Sequence, residues 1–270
     1  MSNWYTIEGA KNRVAKTHVG GEVPNLELKI NKKGYSNVTV FSDTHLGSVA
    51  FNKELFEWQL EEVDALKSYI ILGGDIMEVA LPSRIEQSVW EINMTTDDQY
   101  QTALKYFYPR RDRILFSTSG NHDARVHKKT GLDMARMLAK DLGCHYNKNG
   151  GYLKTRVGQN EYTWSIFHGH SGGINPFIEL ERRLVVYDDS DIIVMGNNHQ
   201  LIHKQVVKKR VIDGNEERRM VHLIRSGSFM REPEYSREAL YSPTVEGAPI
   251  IYLGGNDKKV FVDTSGETRW

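Results

Sequence analysis

The sequence holds one cysteine, Cys144, in 270 residues. A single thiol allows no intramolecular disulfide and no thiolate metal cluster within one chain. Cys144 therefore reads as a small buried hydrophobe near a helix end. Net charge is lacking too: 35 Lys and Arg offset 35 Asp and Glu, for a formal charge of +0. No overall basic field draws the protein to a polyanion, so contact with nucleic acid has to come from local patches. The opening residues MSNWYTIEGAKNR contain no apolar segment of the kind a secretory signal requires. No apolar run approaches membrane-spanning length. Repeats, low-complexity tracts and an obvious linker are also missing. These absences give the expectation of a cytoplasmic protein with no membrane partner.

What is present fits an ordinary globular chain, with 39% hydrophobic and 26% charged residues. The length suffices for a sizeable core, in one large domain or two small ones. Residues 1–36 are polar and lysine-rich and read as a lead-in without firm structure. From Asn37 the pattern changes, and residues 37–270 read as one domain. Short β-rich runs are expected at 38–41, 69–72 and 114–116. Helical spacing covers 51–67, through Leu55, Trp58, Val63 and Leu66, and then 84–108, in one piece or two, which Pro109 should stop. A helix at 132–142 has Gly143 as its natural end. Strands follow at 152–157 and 162–167, a helix at 176–186, and a strand at 191–195. Two hairpins then surround Asp213-Gly214-Asn215 and Gly254-Gly255-Asn256-Asp257. Alternating strand and helix in the first half argues for an α/β fold with parallel strands. The hairpins argue for antiparallel additions. A four-layer α/β/β/α sandwich of two mixed sheets accommodates both.

Five times, an apolar strand-like run stops and is followed by Asp, His or Asn. In open α/β sheets ligands bind beyond the carboxyl ends of the strands. Asp43 and His45, Asp75, Asn121 and His122, His168, then Asn197 and His199 would converge there. Carboxylate, imidazole and amide oxygen together suit borderline divalent ions such as manganese, iron or zinc. Each piece alone is weak. An Asp-Thr-His triplet commonly caps a turn, Gly-Gly-Asp is a common strand-to-loop turn, and a lone His168 suits a structural role. Their order and their placement at strand ends carry the reading.

Asp43-Thr44-His45, Gly74-Asp75, Gly120-Asn121-His122-Asp123, Phe167-His168-Gly169-His170 and Gly196-Asn197-Asn198-His199 form an ordered set. In that order they resemble the motifs of the calcineurin-like metallophosphoesterase superfamily, from about Val38 to His199. The Arg after Gly-Asn-His-Asp-Ala is similar to the stand-alone enzymes carried by phages and prophages. The resemblance implies two divalent ions, manganese foremost, with iron, zinc or nickel as other fits. It implies that Asp43, His45 and His199 hold one ion, that Asn121 and His168 hold the other, and that Asp75 bridges them. It implies hydrolysis of a phosphoester by an activated water, with His122 as general acid and Asp123 orienting its ring. Arg125 would steady phosphate oxygens, or serve as a solvated surface charge. His170 would touch substrate, or be a plain loop histidine.

One motif departs from the family. Asn197 stands where the family has a His ligand to the second ion, and an amide oxygen is a poorer donor than imidazole for these metals. Three readings follow: Asn as a natural ligand, an engineered substitution, or a chain that keeps a phosphate-binding role. The motifs specify phosphoester cleavage and not the substrate. An intact His122 fits a phosphodiesterase acting on nucleotides or nucleic acid, since an alkoxide leaving group needs a proton. A phosphomonoesterase is the enzymatic alternative. Arg110-Arg111-Asp112-Arg113, His127-Lys128-Lys129 and Lys208-Lys209-Arg210 are local basic clusters that read as polyanion contacts or as solvated faces. Trp90, Tyr100, Tyr106 and Tyr108 read as a base-stacking lid or as core packing. The sequence leaves oligomeric state open, a homo-oligomer included.

Overall fold

The computed structural model describes residues 23–79, 92–170, 175–187, 189–231 and 245–266. Two mixed six-stranded sheets lie at its centre. The first is built from β2 (Tyr35–Phe41), β3 (Tyr69–Leu72), β4 (Ile114–Ser117), β5 (His145–Tyr146), β11 (Ile250–Gly254) and β12 (Val260–Asp263), in the order β12-β11-β2-β3-β4-β5. Strands β2 to β5 run parallel, and the β11–β12 hairpin is added antiparallel at β2. The second sheet has β1 (Asn25–Leu28), β6 (Gly151–Val157), β7 (Asn160–Phe167), β8 (Ile192–Met195), β9 (Leu201–Ile212) and β10 (Asn215–Ser226), in the order β1-β6-β7-β8-β10-β9. Here β7, β8 and β10 run parallel, while β9 returns antiparallel along β10.

The layers follow from where the apolar side chains go. Val38, Val40, Ile71 and Leu115 of the first sheet meet Leu153, Trp164, Ile166 and Val194 of the second in one buried core. Strands buried on both faces read as continuous apolar runs, as 69–72 and 192–195 do. On its outer face the first sheet sends Phe41, Ile70 and Leu72 against Phe56 and Leu60 of α1 (Lys53–Ala65), Phe107 of α2 (Thr96–Phe107) and Leu138 of α4 (Met134–Leu142). The second sheet packs Ile193, Met195 and Leu223 against Leu180 of α5 (Phe177–Val186). The result is the expected four-layer α/β/β/α sandwich.

Three expectations need correction. Part of the lead-in is structured: Asn25–Leu28 pairs parallel with β6 from Lys154 to Val157, because Leu28 has a core place to fill. Of the helix expected across 84–108 in one piece or two, the described part is α2, from Thr96. Thr95 caps it by accepting the Asp98 N–H, and Ile92 before it bridges Ser48 instead. Residues 84–91 lie outside the described residues. Pro109 does stop the α-helix: α2 ends at Phe107, and Pro109 sits in the first turn of a 3₁₀ segment, Tyr108–Arg113, where its missing N–H costs nothing. Finally, residues 121–130, for which no helix was expected, form α3 (Asn121–Thr130), with Asn121-His122-Asp123 as its first turn and left-handed Gly131, φ 77°, at its end.

Several expectations hold. Gly143 ends α4 with φ 68°, and Cys144 just beyond it is buried. Tyr100 and Tyr106 take the core-packing option and not the stacking lid: Tyr100 is buried, and the Tyr106 ring meets Phe56 at 5.1 Å. Tyr108 is exposed with the Arg111 guanidinium over its ring, and Trp90 lies outside the described residues. No helix among the described residues is long and apolar enough to cross a membrane.

Candidate metal centre

Every expected motif follows the carboxyl end of a strand. Asp43 and His45 follow β2, Asp75 follows β3, Asn121 and His122 follow β4, His168 follows β7, and Asn197 and His199 follow β8. The first three strands belong to one sheet and the last two to the other, so the site joins the sandwich along one edge. His168 makes that joint. Its Nδ1 donates to the Gly73 carbonyl at 2.9 Å, and its Nε2 lies 3.0 Å from both Asp75 Oδ2 and Asn121 Oδ1.

The backbone at this edge is bent in a way non-glycine residues rarely adopt. Asp43, His45, Asp75, Asn197 and His199 all have φ between 49° and 63°. Such left-handed residues persist only where their surroundings over-determine them, and they cluster at functional sites. Two glycines make the convergence sterically feasible. A Cβ on Gly120 would fall 1.9 Å from Asp75 Oδ1, and one on Gly74 would fall 2.7 Å from both the Gly120 nitrogen and His168 Nδ1.

Three groups of donors result among the described residues. Asp43, His45 and His199 offer ligand atoms within 4.8 Å of one another, and so do Asp43, Asp75 and His168, and His45, Glu78 and His122. Asp43 is common to the first two. Its Oδ1 lies 3.4 Å from His199 Nε2, 3.8 Å from His168 Nε2 and 4.0 Å from His45 Nε2. Its Oδ2 is held by Ser42 Oγ and the Asn197 N–H. Asp43 Oδ1 and His45 Nε2 are fully buried without a hydrogen-bond partner. Buried polar atoms are nearly always satisfied, so a pair of orphans facing each other fits a missing cation. The donor set of carboxylates, imidazoles and one amide oxygen fits a divalent ion.

The charges of these side chains agree. Burial works against a charged His168, yet the carboxylates of Asp75 and Asp43 outweigh it and hold the ring up to about 10. Burial favours a protonated Asp75, but the rings of His168, His122 and His45 drive it far down. His168⁺ thus stands where positive charge is wanted. His45 is shifted downward, with burial the largest cause, so its Nε2 keeps a free lone pair.

Glu78 was not among the expected residues. It is buried three positions after Asp75, with Oε2 2.7 Å from His45 Nδ1 and Oε1 3.2 Å from His122 Nδ1. The carboxylate beside the His122 ring is that of Glu78 and not that of Asp123, which was expected to orient it. Asp123 points the other way and caps α3: its Oδ2 accepts the Gly120 N–H at 2.9 Å and the Asp75 N–H at 3.3 Å. Position N3 of a helix suits an acid that reaches back to the N-cap, which explains the switch. The signal for Glu78 was an acid lodged in the apolar stretch Ile76-Met77-Glu78-Val79, where an unpaired carboxylate would be costly.

The remaining expected residues are less engaged. Arg125 is half-buried one turn into α3, near enough for its charge to oppose protonation of His122. The His170 ring is exposed, and what is held there is its backbone N–H, by Glu179 Oε1 at 3.3 Å. Asn197 meets the cluster through its backbone N–H.

No protein-family model matches the sequence, and no curated protein matches it. Solved structures do. Vacuolar protein sorting 29 from Cryptosporidium parvum is 12% identical over 85% of this chain and 97% of its own, with a TM-score of 0.44. Yfce, a phosphoesterase from E. coli, is 12% identical over 84% and 98%, with a TM-score of 0.41. Vps29 from Entamoeba histolytica, solved in complex with zinc, is 13% identical over 84% and 97%, with a TM-score of 0.38. Likeness at this level carries no functional weight. The fold rests on the strand order and the site on its own distances.

Proposed function

We propose that this chain is a calcineurin-like metallophosphoesterase that hydrolyses phosphodiesters of nucleotides or nucleic acid. The observation that carries the reading is the meeting of Asp43, His45, Asp75, Asn121, His168 and His199 from five strand ends of two sheets, with Asp43 Oδ1 and His45 Nε2 buried and unsatisfied. Asp43, His45 and His199 would hold one ion, Asn121 and His168 a second, and Asp75 both, with manganese as the preferred metal. Two divalent ions supply charge neutralisation for the phosphoryl oxygens and a water of lowered pKa.

The chain's own residues supply the rest. His122 Nδ1 is held by the Glu78 carbonyl oxygen at 2.8 Å, and a carbonyl only accepts, so the proton on that nitrogen is fixed. The other ring nitrogen, Nε2, is left to face substrate. Burial works against the charged ring, but the Glu78 and Asp75 carboxylates raise it to about 9. His122 Nε2 is thus placed to give a proton to a departing alkoxide, which the alkyl esters of nucleotides and nucleic acid need. Arg125, on the same helix, adds positive charge beside it.

The test is hydrolysis of bis(p-nitrophenyl) phosphate against p-nitrophenyl phosphate, with manganese and with chelator. Metal-dependent cleavage that favours the diester supports the reading. Preference for the monoester supports a phosphomonoesterase. Silence on both, in the natural chain and in Asn197→His alike, leaves a phosphate-binding role.

A further inference from the structure

We infer that the solvent face of α3, with Arg125, Lys128 and Lys129, binds the phosphates next to the cleaved one, which makes the substrate a nucleic-acid strand and not a single nucleotide. The inference deepens the phosphodiesterase reading and rests on it for the place of the cleaved phosphate.

The chain as a whole is neutral, but residues 121–150 are not. They hold six Lys and Arg (Arg125, Lys128, Lys129, Arg136, Lys140 and Lys148) against three acids, Asp123, Asp133 and Asp141. The acids are engaged elsewhere. Asp123 Oδ2 accepts the Gly120 and Asp75 N–H groups, Asp133 accepts the Arg136 backbone N–H and the Tyr146 hydroxyl, and Asp141 accepts the Tyr100 hydroxyl. Among the described residues none of the six cations forms an ion pair, whereas Arg110, Arg113, Lys204 and Lys209 all do. A local excess of unpaired positive charge is the electrostatic footprint of a polyanion site.

Three of the six share a helix face with the site. Positions three, four and seven apart line up along an α-helix. Asn121, Arg125 and Lys128 stand in that relation, and so do His122, Arg125 and Lys129. Asp123 and Val126 lie on the other side and are buried. Arg125 is half-buried, and Lys128 and Lys129 are exposed. Both lysines fall in the last turn, where positive charge suits the helix dipole. Arg125 lies in the first half, where the dipole gives it nothing, so helix stability alone does not account for the row. From His122 to Lys129 the helix rises about 10 Å. That distance lies beyond the oxygens of a phosphate held at Asn121 and His122. Phosphates of one duplex strand recur about every 3.4 Å of axis, so the row spans roughly three of them. Such contacts set the register of a strand without reading its sequence.

Two measurements test this. The first is fluorescence anisotropy of a labelled single-stranded DNA of about 12 nucleotides with the full chain, in chelator to prevent cleavage, over about 50 to 200 mM salt. Lys128→Ala/Lys129→Ala should weaken binding about 10-fold at low salt. It should also make log Kd against log salt shallower by about 1.4, two lost contacts at about 0.7 each. Lys32→Ala/Lys33→Ala removes the same charge before β2, at the opposite end of that strand from Asp43, and should change neither. A natural chain that does not bind the DNA, equal weakening by the two pairs, or no weakening by Lys128→Ala/Lys129→Ala would each overturn the inference. The second measurement is KM with manganese for the same DNA and for thymidine 5′-(p-nitrophenyl phosphate), a nucleotide diester with a single phosphate. Lys128→Ala/Lys129→Ala should raise KM about 10-fold on the DNA and by less than about 2-fold on the nucleotide, with kcat kept on both. An equal rise on the two would place the lysines at the cleaved phosphate and overturn it. A natural chain that binds DNA through these lysines yet cleaves neither substrate would overturn the phosphodiesterase reading and leave the strand site standing.

Discussion

Two groups of histidines in this molecule have opposite arrangements. At the strand ends His45, His168 and His199 turn ring nitrogens toward the carboxylates of Asp43 and Asp75, and buried polar atoms are left over. On the β9–β10 hairpin His203 Nε2 and His222 Nδ1 lie 3.0 Å apart, with rings stacked at 5.1 Å. One ring donates, the other accepts, and the contact is complete with both neutral. The same contrast holds for basic residues. The Arg110–Arg113 cluster precedes β4, at the end away from the site, and Arg110 and Arg113 both pair with Asp64. Lys208 and Lys209 lie on β9, which leaves the site and runs about 40 Å to its turn at roughly 3.4 Å per residue. Lys208 donates to the Leu184 carbonyl, and Lys209 pairs with Glu216. Of the three clusters only His127-Lys128-Lys129 sits on a helix that begins at the site. A concentration of histidine or charge does not mark function; what marks it is polar groups that converge without exhausting one another.

The contrast can be broken most severely at Asp75. Asp75→Asn removes the charge expected to serve both ions, and turnover should fall by about 10³-fold or more, with metal content reduced. Retained metal and near-normal turnover would make the two histidine groups equivalent. Gly120→Ala should come next. The added methyl meets Asp75 Oδ1 and its backbone nitrogen, so a loss of about 1–3 kcal/mol in a urea melt should accompany loss of activity. Asn197→His should act in the other direction. An imidazole in place of an amide should raise occupancy of the second ion and turnover by about 10-fold, and no gain in either would count against the assignment of that position.

The smallest effect belongs to the far histidines. Burial and the neighbouring His203 push His222 down to about 4. A depressed histidine binds its proton in the unfolded chain first, so stability is complete above about pH 6.5 and falls as pH drops toward 4. His222→Phe should flatten the acid side of the stability curve by on the order of 1 kcal/mol, allowing for solvent near the pair. Urea midpoints at pH 7 and pH 5 measure this, and unchanged acid sensitivity would show the pair is not buried as described.

Much of the site was legible because each ligand follows an apolar run that could only be a strand, and strand ends of one direction converge. Asp43, Asp75 and His168 were each weak signals alone, and only their order at successive strand ends carried the reading. Glu78 was hidden because its importance lies in a pairing with His45 and His122, 33 and 44 residues away, and spacing along a chain does not report such contacts. The α3 helix was legible in principle from Asp123 at N3, Lys128 and Lys129 in the last turn and Gly131 beyond, yet Gly-Asn-His-Asp also satisfies every requirement of a turn. Strand β1 is only four residues long: Leu26 and Leu28 alternate with Asn25 and Glu27, and two apolar positions are too few to mark a strand. Edge strands of this kind are recruited by the neighbour's free hydrogen bonds, here those of β6.

The central claim is that this edge of the sandwich holds two ions. Anomalous diffraction from crystals grown with manganese tests it most directly. Two peaks about 3.5–4 Å apart, with Asp75 between them and His45 and His168 on either side, are the predicted result. Saturating manganese with no peak among these residues, or with peaks only elsewhere on the chain, would contradict it.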